Sequence, residues 1–172
     1  MLEDSYCEWL VAKKQTPVTT LLKVLIIIAG VFLLLVGLIF AGQTYSFTLL
    51  LGVGAVIGAF FLSKSLNIEY EYIFTSGELN IDKVTDQQRR KTVLKVDMQS
   101  IELVAKYQSG TMSSYRNNQD LKVTDYSSQK DPENVYALVC TGNENRGIYL
   151  FDPNEKMLKM MRNYAPRKII MG

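Results

Sequence analysis

Histidine is missing from this chain of 172 residues. Its absence removes the commonest general base and a common metal ligand. Cysteine is nearly missing: Cys7 and Cys140 are the only two, one on each side of a long apolar stretch. No disulfide framework or metal spacing can be built from them. A dominant charge is missing as well. Lys and Arg number 19 against 17 Asp and Glu, a net charge of +2, which lacks the basic footprint of a nucleic-acid-binding protein. No glycine-rich phosphate loop occurs in the polar half, and Asp82, Asp86 and Asp97 lack metal-loop spacing. Ser109, Ser113 and Ser114 cluster, but nothing beside them resembles a triad or an oxyanion hole. These absences argue against an enzyme, and no metal, cofactor or nucleic acid is expected.

One further absence organises the molecule. No charged side chain occurs from Val24 to Ser63. Val24–Ala41 is almost purely apolar, Phe47–Leu62 is nearly so, and the polar Gly42-Gln43-Thr44-Tyr45-Ser46 lies between them. A bilayer core about 30 Å thick takes roughly 17–25 apolar residues per helix. The run is therefore two membrane helices and a tight turn. Helix is the conformation that satisfies its backbone without water. A secretory signal is a poor fit, because Glu3, Asp4 and Glu8 are wrong for a basic n-region and the apolar stretch is too long. Lys13, Lys14 and Lys23 precede the hairpin, Lys64 follows it, and the turn is uncharged. The positive-inside rule then places a two-pass protein in the cell membrane with both termini cytoplasmic. Unpaired cysteines agree with that compartment.

Small residues recur at intervals of four, Gly37 and Ala41 in the first helix and Gly54 and Gly58 in the second. Such pairs allow close helix packing, within the hairpin or in a homo-oligomer. The leader, residues 1–16, places Tyr6, Trp9, Leu10 and Lys13 at helical spacing. It is expected to be an amphipathic juxtamembrane helix on the inner leaflet, with Thr16-Pro17 starting the next helix. The hairpin occupies residues 17–65 and a cytoplasmic domain residues 66–172.

In that domain the pattern changes to alternation. Ile68, Tyr70, Tyr72 and Phe74 share one face of a strand, and Ser76-Gly77 turns it back into a second strand. Further strands are predicted over Lys91–Asp97, Ile101–Lys106, Leu121–Tyr126, Val135–Thr141 and Arg146–Phe151. Asp152-Pro153-Asn154-Glu155 reads as a helix start with Asp152 as cap. The helix then runs Pro153–Tyr164 with Met157, Leu158, Met161 and Tyr164 as its apolar stripe. The fold class is thus a membrane α-helical hairpin plus an all-β domain, a small antiparallel barrel of about seven strands capped by a C-terminal helix.

That order resembles a pleckstrin-homology (PH)-like domain. The segments Tyr70-Glu71-Tyr72-Ile73-Phe74-Thr75, Gly77-Glu78-Leu79-Asn80-Ile81, Arg89-Arg90-Lys91 and Phe151-Asp152-Pro153-Asn154-Glu155-Lys156-Met157-Leu158 are similar to bacterial membrane-anchored domains of this type. From Trp9-Leu10-Val11 to Pro166-Arg167-Lys168 the chain also resembles small two-helix membrane proteins of Gram-positive bacteria. The resemblance implies architecture and carries no activity. The phosphoinositide-binding pattern of eukaryotic relatives places Lys and Arg around the first hairpin turn. Here Thr75-Ser76-Gly77-Glu78 has none.

Ser63–Asn67 can span at most about 18 Å, so the domain is expected close to the bilayer. Strands running up and down would then bring Arg89, Arg90, Lys91, Arg116, Arg146, Arg167 and Lys168 to the lipid surface. Glu78, Asp97, Asp125, Asp131, Glu133 and Asp152 would lie on the far side. The leading expectation is a non-enzymatic membrane-anchored module that binds a protein partner or anionic lipid. The Gln108–Gln119 loop, carrying Met112 and Tyr115, would close over such a partner. The alternative is an accessory subunit of a transport or envelope complex recognised through its hairpin.

Overall fold

The computed structural model describes residues 6–41, 46–86, 88–142 and 145–171. The chain divides into two compact units, Gln15–Ile68 on one hand and the leader up to Lys14 with the residues from Glu69 onward on the other.

The first unit is a pair of helices, α1 (Pro17–Ala41) and α2 (Ser46–Ser65). Thr16 starts α1: its hydroxyl accepts from Thr19 N at 3.3 Å, and Pro17 has no N–H to leave unsatisfied at the first turn. Both helices are long and apolar enough to cross a membrane. Their large side chains point outward, as with Val18, Ile39 and Leu50. The residues buried between them are small: Gly30, Gly37, Gly52 and Ala59. A Cβ on Gly37 would come within 2.6 Å of the Thr48 carbonyl oxygen, and one on Gly30 within 2.9 Å of Ala59 Cβ. The seam therefore repeats every seven residues, Gly30 to Gly37 and Gly52 to Ala59, which keeps one stripe facing the partner helix. At the base, Asn67 Oδ1 accepts from Gln15 Nε2 at 2.9 Å and from Lys23 Nζ at 2.7 Å. The polar turn expected at 42–45 lies outside the described residues.

The second unit is built from two four-stranded sheets. The first has the order β1-β2-β3-β4, from β1 (Tyr6–Ala12), β2 (Ile68–Thr75), β3 (Glu78–Thr85) and β4 (Arg89–Asp97). The leader is thus a strand and not a helix. It pairs antiparallel with β2 over its whole length, from Tyr6 opposite Thr75 to Ala12 opposite Glu69. Cys7 and Val11 are buried while Glu8, Trp9 and Leu10 between them are exposed, so the pairing with β2 defines the strand and no local period of two announces it. The helical pair is accordingly the connection between two neighbouring strands. Ser76 and Gly77 both have positive φ, as a two-residue hairpin turn requires. A Cβ on Gly77 would strike the Tyr164 ring at 2.9 Å. The β3–β4 register slips between Ile81 and Asp82, leaving Val93 as a bulge.

The second sheet has the order β5-β7-β8-β6, from β5 (Ile101–Lys106), β6 (Val123–Asp125), β7 (Tyr136–Cys140) and β8 (Gly147–Phe151). β6 is short and pairs with β8 in parallel, so the all-antiparallel expectation fails there. Among the described residues the two sheets do not close into a barrel. Every residue of β7 is buried, because both faces of this sheet are covered. One face receives Met112, fully buried with Leu103, Ala105, Leu121, Val135, Ala137, Val139, Ile148 and Leu150. The 108–119 segment is therefore folded, with a short helix α3 (Ser113–Arg116), and its methionine is part of a core. Helix α4 (Glu155–Tyr164) buries Met157, Leu158, Met160 and Met161. Asn154 caps it by accepting from Met157 N at 2.8 Å. Asp152, the expected cap, instead accepts from Ser128 N at 2.7 Å. Beyond α4 the chain returns to the edge of β5. Val104 N donates to Lys168 O and Ile170 N to Val104 O, so that edge is blunted.

Candidate functional site

The basic residues separate into groups. β1 ends, β2 begins and β4 begins at the same end of the first sheet. Arg89, Arg90 and Lys91 lie there, with Lys83 opposite Lys91 in the β3–β4 register. Lys13 and Lys14 follow β1 at that end. The other candidates are elsewhere. Arg116 stacks over the Tyr107 ring at 5.6 Å. Arg146 follows the β7–β8 turn and faces Asp120 at 4.0 Å. Lys168 donates to Gln99 O at 2.7 Å, beside the β4–β5 turn at the opposite end of the first sheet, with Arg167 next to it. The fold therefore brings together Arg89, Arg90 and Lys91, and leaves Arg116, Arg146, Arg167 and Lys168 apart.

The acidic residues are not sorted as expected either. Glu78 and Asp97 lie opposite one another at the far end. Asp125 and Asp152, however, belong to a knot beside the end of β1. Lys14 N donates to Ser128 O at 2.7 Å. Burial works against the charge of Asp125, yet hydrogen bonds from Ser127 and Gln129 and the field of Lys13 hold its pKa below the usual carboxylate range.

Tyr72 joins this knot to the first sheet. It is fully buried; its hydroxyl donates to Tyr126 O at 2.7 Å and accepts from Asp152 N at 3.3 Å. Burial raises its pKa far above the ordinary tyrosine value. Its ring meets Phe151 edge-on at 5.7 Å, Tyr70 meets Tyr126 edge-on at 5.5 Å, and Tyr126 stacks on Tyr149.

Arg90 is not a free cation. It pairs at 3.3 Å with Glu71, whose side chain is only 2% exposed. Glu71 also meets Glu8 across the β1–β2 pair. Burial and this contact raise the Glu71 pKa, against the opposing pull of Arg90. The Glu8 pKa is lowered, first by the hydrogen bond from Tyr6 and then by the contact with Glu71. Two carboxyl groups this close cannot both ionise freely. Glu71 lies on the face of β2 opposite Tyr70 and Tyr72, and it is buried there beside β1 and Arg90. Among the described residues no three His, Cys, Asp or Glu side chains converge as a metal site requires.

In the helices, Gly37 belongs to the buried seam, but Gly54 and Gly58 do not. A Cβ at either would meet nothing within 4 Å, so the four-residue spacing is not what joins the hairpin. Ala41 ends α1, and its side chain lies outside those described.

A family profile described as a bacterial PH-like domain (DUF6106) matches residues 3–171. No curated protein and no solved structure matches the chain.

Proposed function

The chain belongs to the bacterial PH-like domain family, and on that premise we propose that it is a non-enzymatic binding module held at the inner leaflet of the cell membrane by its two-pass hairpin. Domains of this type generally act as non-catalytic binding modules for lipids or proteins. The observation that carries the reading is connectivity. The hairpin leaves β1 and returns to β2, which are paired neighbours, so two short connections tether one sheet to it. Lys13, Lys14, Lys83, Arg89 and Lys91 recur at the sheet end where those connections begin. The charge rule supports cytoplasmic termini, and the resemblance drawn from the sequence supports a Gram-positive setting. Each Lys or Arg near an anionic surface contributes about 1 kcal/mol. The near-neutral total charge makes clustering, not net charge, the source of any attraction.

The test uses the full chain in nanodiscs of anionic or neutral lipid. A nitroxide placed by Lys83→Cys should report the headgroup region in anionic discs and water in neutral ones. One placed by Lys156→Cys should report water in both. Arg89→Gln with Lys91→Gln should shift the first label toward water by weakening attraction by about 2 kcal/mol. Identical readings at Lys83 in the two lipids would reject lipid-surface contact.

A second reading rests on Gly54 and Gly58, which are left open on α2. In that reading the hairpin recognises a membrane partner or a second copy, and the protein is an accessory subunit of a transport or envelope complex. A partner that copurifies with the hairpin alone supports it. A partner lost with residues 69–172 supports the binding module.

A further inference from the structure

We propose that the outer edge of β4 is a docking groove for an extended peptide segment that carries a lysine or arginine. This rests on the binding-module reading and names the partner class and the surface. Because the two sheets do not close, β4 is an edge strand of the first sheet and β6 an edge strand of the second. β6 is confined to Val123–Asp125, too short to run along β4. The gap is crossed by side chains: the Tyr126 hydroxyl donates to Val93 O at 3.3 Å, and Asn145 Nδ2 donates to Lys95 O at 3.0 Å. Beside Asn145 a groove of about 590 Å³ remains, running along Thr92–Asp97 to Ser100. Leu94 and Val96 are buried, so they offer the groove main chain.

These bonds also identify the register. Val93 and Lys95 direct main-chain groups outward, and alternation assigns the Asp97 N–H the same direction, while the Asp97 carbonyl turns back to accept from Ser100 N at 3.0 Å and Ser100 Oγ at 2.8 Å. Met98 N bonds inward to Gly77 O at 2.8 Å, in keeping with that phase. An edge of this kind, lined by backbone and polar side chains, suits a peptide main chain that adds as a further strand. It does not suit a lipid tail. The cation follows from charge. Glu78 and Asp97 are cross-strand partners, and like charges directly opposite repel. Lys95 neutralises Glu78 at 3.0 Å. Among the described residues, the Asp97 carboxylate accepts from the Gln99 N–H alone, at 2.6 Å. A basic side chain on the incoming strand would complete the set.

The probe is an acetylated hexapeptide of alternating threonine and valine ending in lysine. It is titrated into isotope-labelled full chain in detergent micelles, with amide shifts and hydrogen exchange read residue by residue. Saturable shifts centred on Val93, Lys95 and Asp97, with slowed exchange there, are expected. The same peptide N-methylated at alternate amides should bind at least about tenfold more weakly, since it cannot form the ladder. A glutamate-ended peptide should lose about threefold or more. Lys95→Pro removes the outward N–H at an edge position where proline is tolerated and should abolish binding, while Lys95→Ala should retain it. An N-methylated peptide that binds as well as the parent, or no saturable shift on β4, would overturn the proposal. Shifts centred on α4 instead would overturn the groove and leave the binding-module reading in place.

Discussion

Tyr72→Phe removes one oxygen from the centre of the domain and nothing else. The ring would keep its edge-on contact with Phe151. Two main-chain groups would lose their partner, the Tyr126 carbonyl at 2.7 Å and the Asp152 N–H at 3.3 Å. A buried polar group left unsatisfied costs about 1–3 kcal/mol. The longer of the two bonds belongs at the lower end, so the substitution should cost about 2–4 kcal/mol. At a urea slope of about 1–3 kcal/mol/M, the midpoint should fall by about 1–2 M. Trp9 is the only tryptophan and sits in β1, so its fluorescence follows the first sheet through a urea titration in detergent micelles. Amide exchange at Ser127 and Ser128 should accelerate in parallel, because their loop is tied to the sheet through this hydroxyl. A midpoint within about 0.3 M of the parent, equivalent to roughly 0.5 kcal/mol, would refute the claim that Tyr72 joins the 125–129 knot to β2.

Leu158→Ala on α4 should cost about 2–5 kcal/mol in the same titration, and Leu158→Asp should leave the domain unfolded; unchanged unfolding would mean that α4 covers nothing. Gly37→Leu should split the helical pair, because its Cβ site already lies against the Thr48 carbonyl, whereas Gly54→Leu should leave the pair intact; crosslinking between cysteines on α1 and α2 distinguishes them. A cysteine at Gln43 should react with an impermeant thiol reagent in intact cells or spheroplasts, and one at the exposed Lys130 should not until permeabilisation; the reverse order would overturn the orientation, and the native Cys7 and Cys140 are buried. For pH, a carboxyl whose folded pKa is raised contributes stability that is present at low pH and lost as pH rises through its folded value. Glu71 should therefore weaken the fold as pH climbs above the ordinary glutamate value of about 4.3. Glu71→Gln should flatten that decline between pH 5 and 7.5 in urea titrations; equal slopes would show that Glu71 carries no strain.

How much of this was legible follows the range of each interaction. The helical pair was readable because hydrophobic length is a local property. The strands from Ile68 to Phe151 were readable because alternation and turns are local too. The leader was misread because Tyr6, Trp9, Leu10 and Lys13 fit helical spacing, while the strand's partner lies beyond the hairpin at Glu69–Thr75. No local pattern reports a partner at that separation. The same blindness hid the parallel β6–β8 pairing and, among the described residues, the division of the strands into two sheets. The cap was misplaced by two residues, since Asp152 and Asn154 are both good caps and only the loop at Ser128 decides which is free. Of the seven basic residues expected to share a surface, Arg89, Arg90 and Lys91 are adjacent in sequence, and Arg90 is paired with Glu71. Whether Arg116, Arg146 or Lys168 joins them depends on how the sheets turn, which spacing does not encode.

The insertion of the helical pair between β1 and β2 bears on the order in which the protein assembles. Ala12 must find Glu69 across an intervening stretch of more than fifty residues, and closing a flexible loop of that length costs about 3–4 kcal/mol from the logarithmic length term alone. On the membrane reading proposed above, helices joined in a bilayer would remove that cost beforehand. Their base is already drawn together by Asn67 with Gln15 and Lys23, so β1 and β2 are delivered as neighbours. A chain whose helical pair failed to form would make all of the later strands and still lack the first sheet's outer strand, the cover over Glu71 and the anchor for Ser128. If the helical pair inserts as proposed, insertion would act as a checkpoint for the two sheets, and a copy that failed to insert would present an incomplete, protease-sensitive fold.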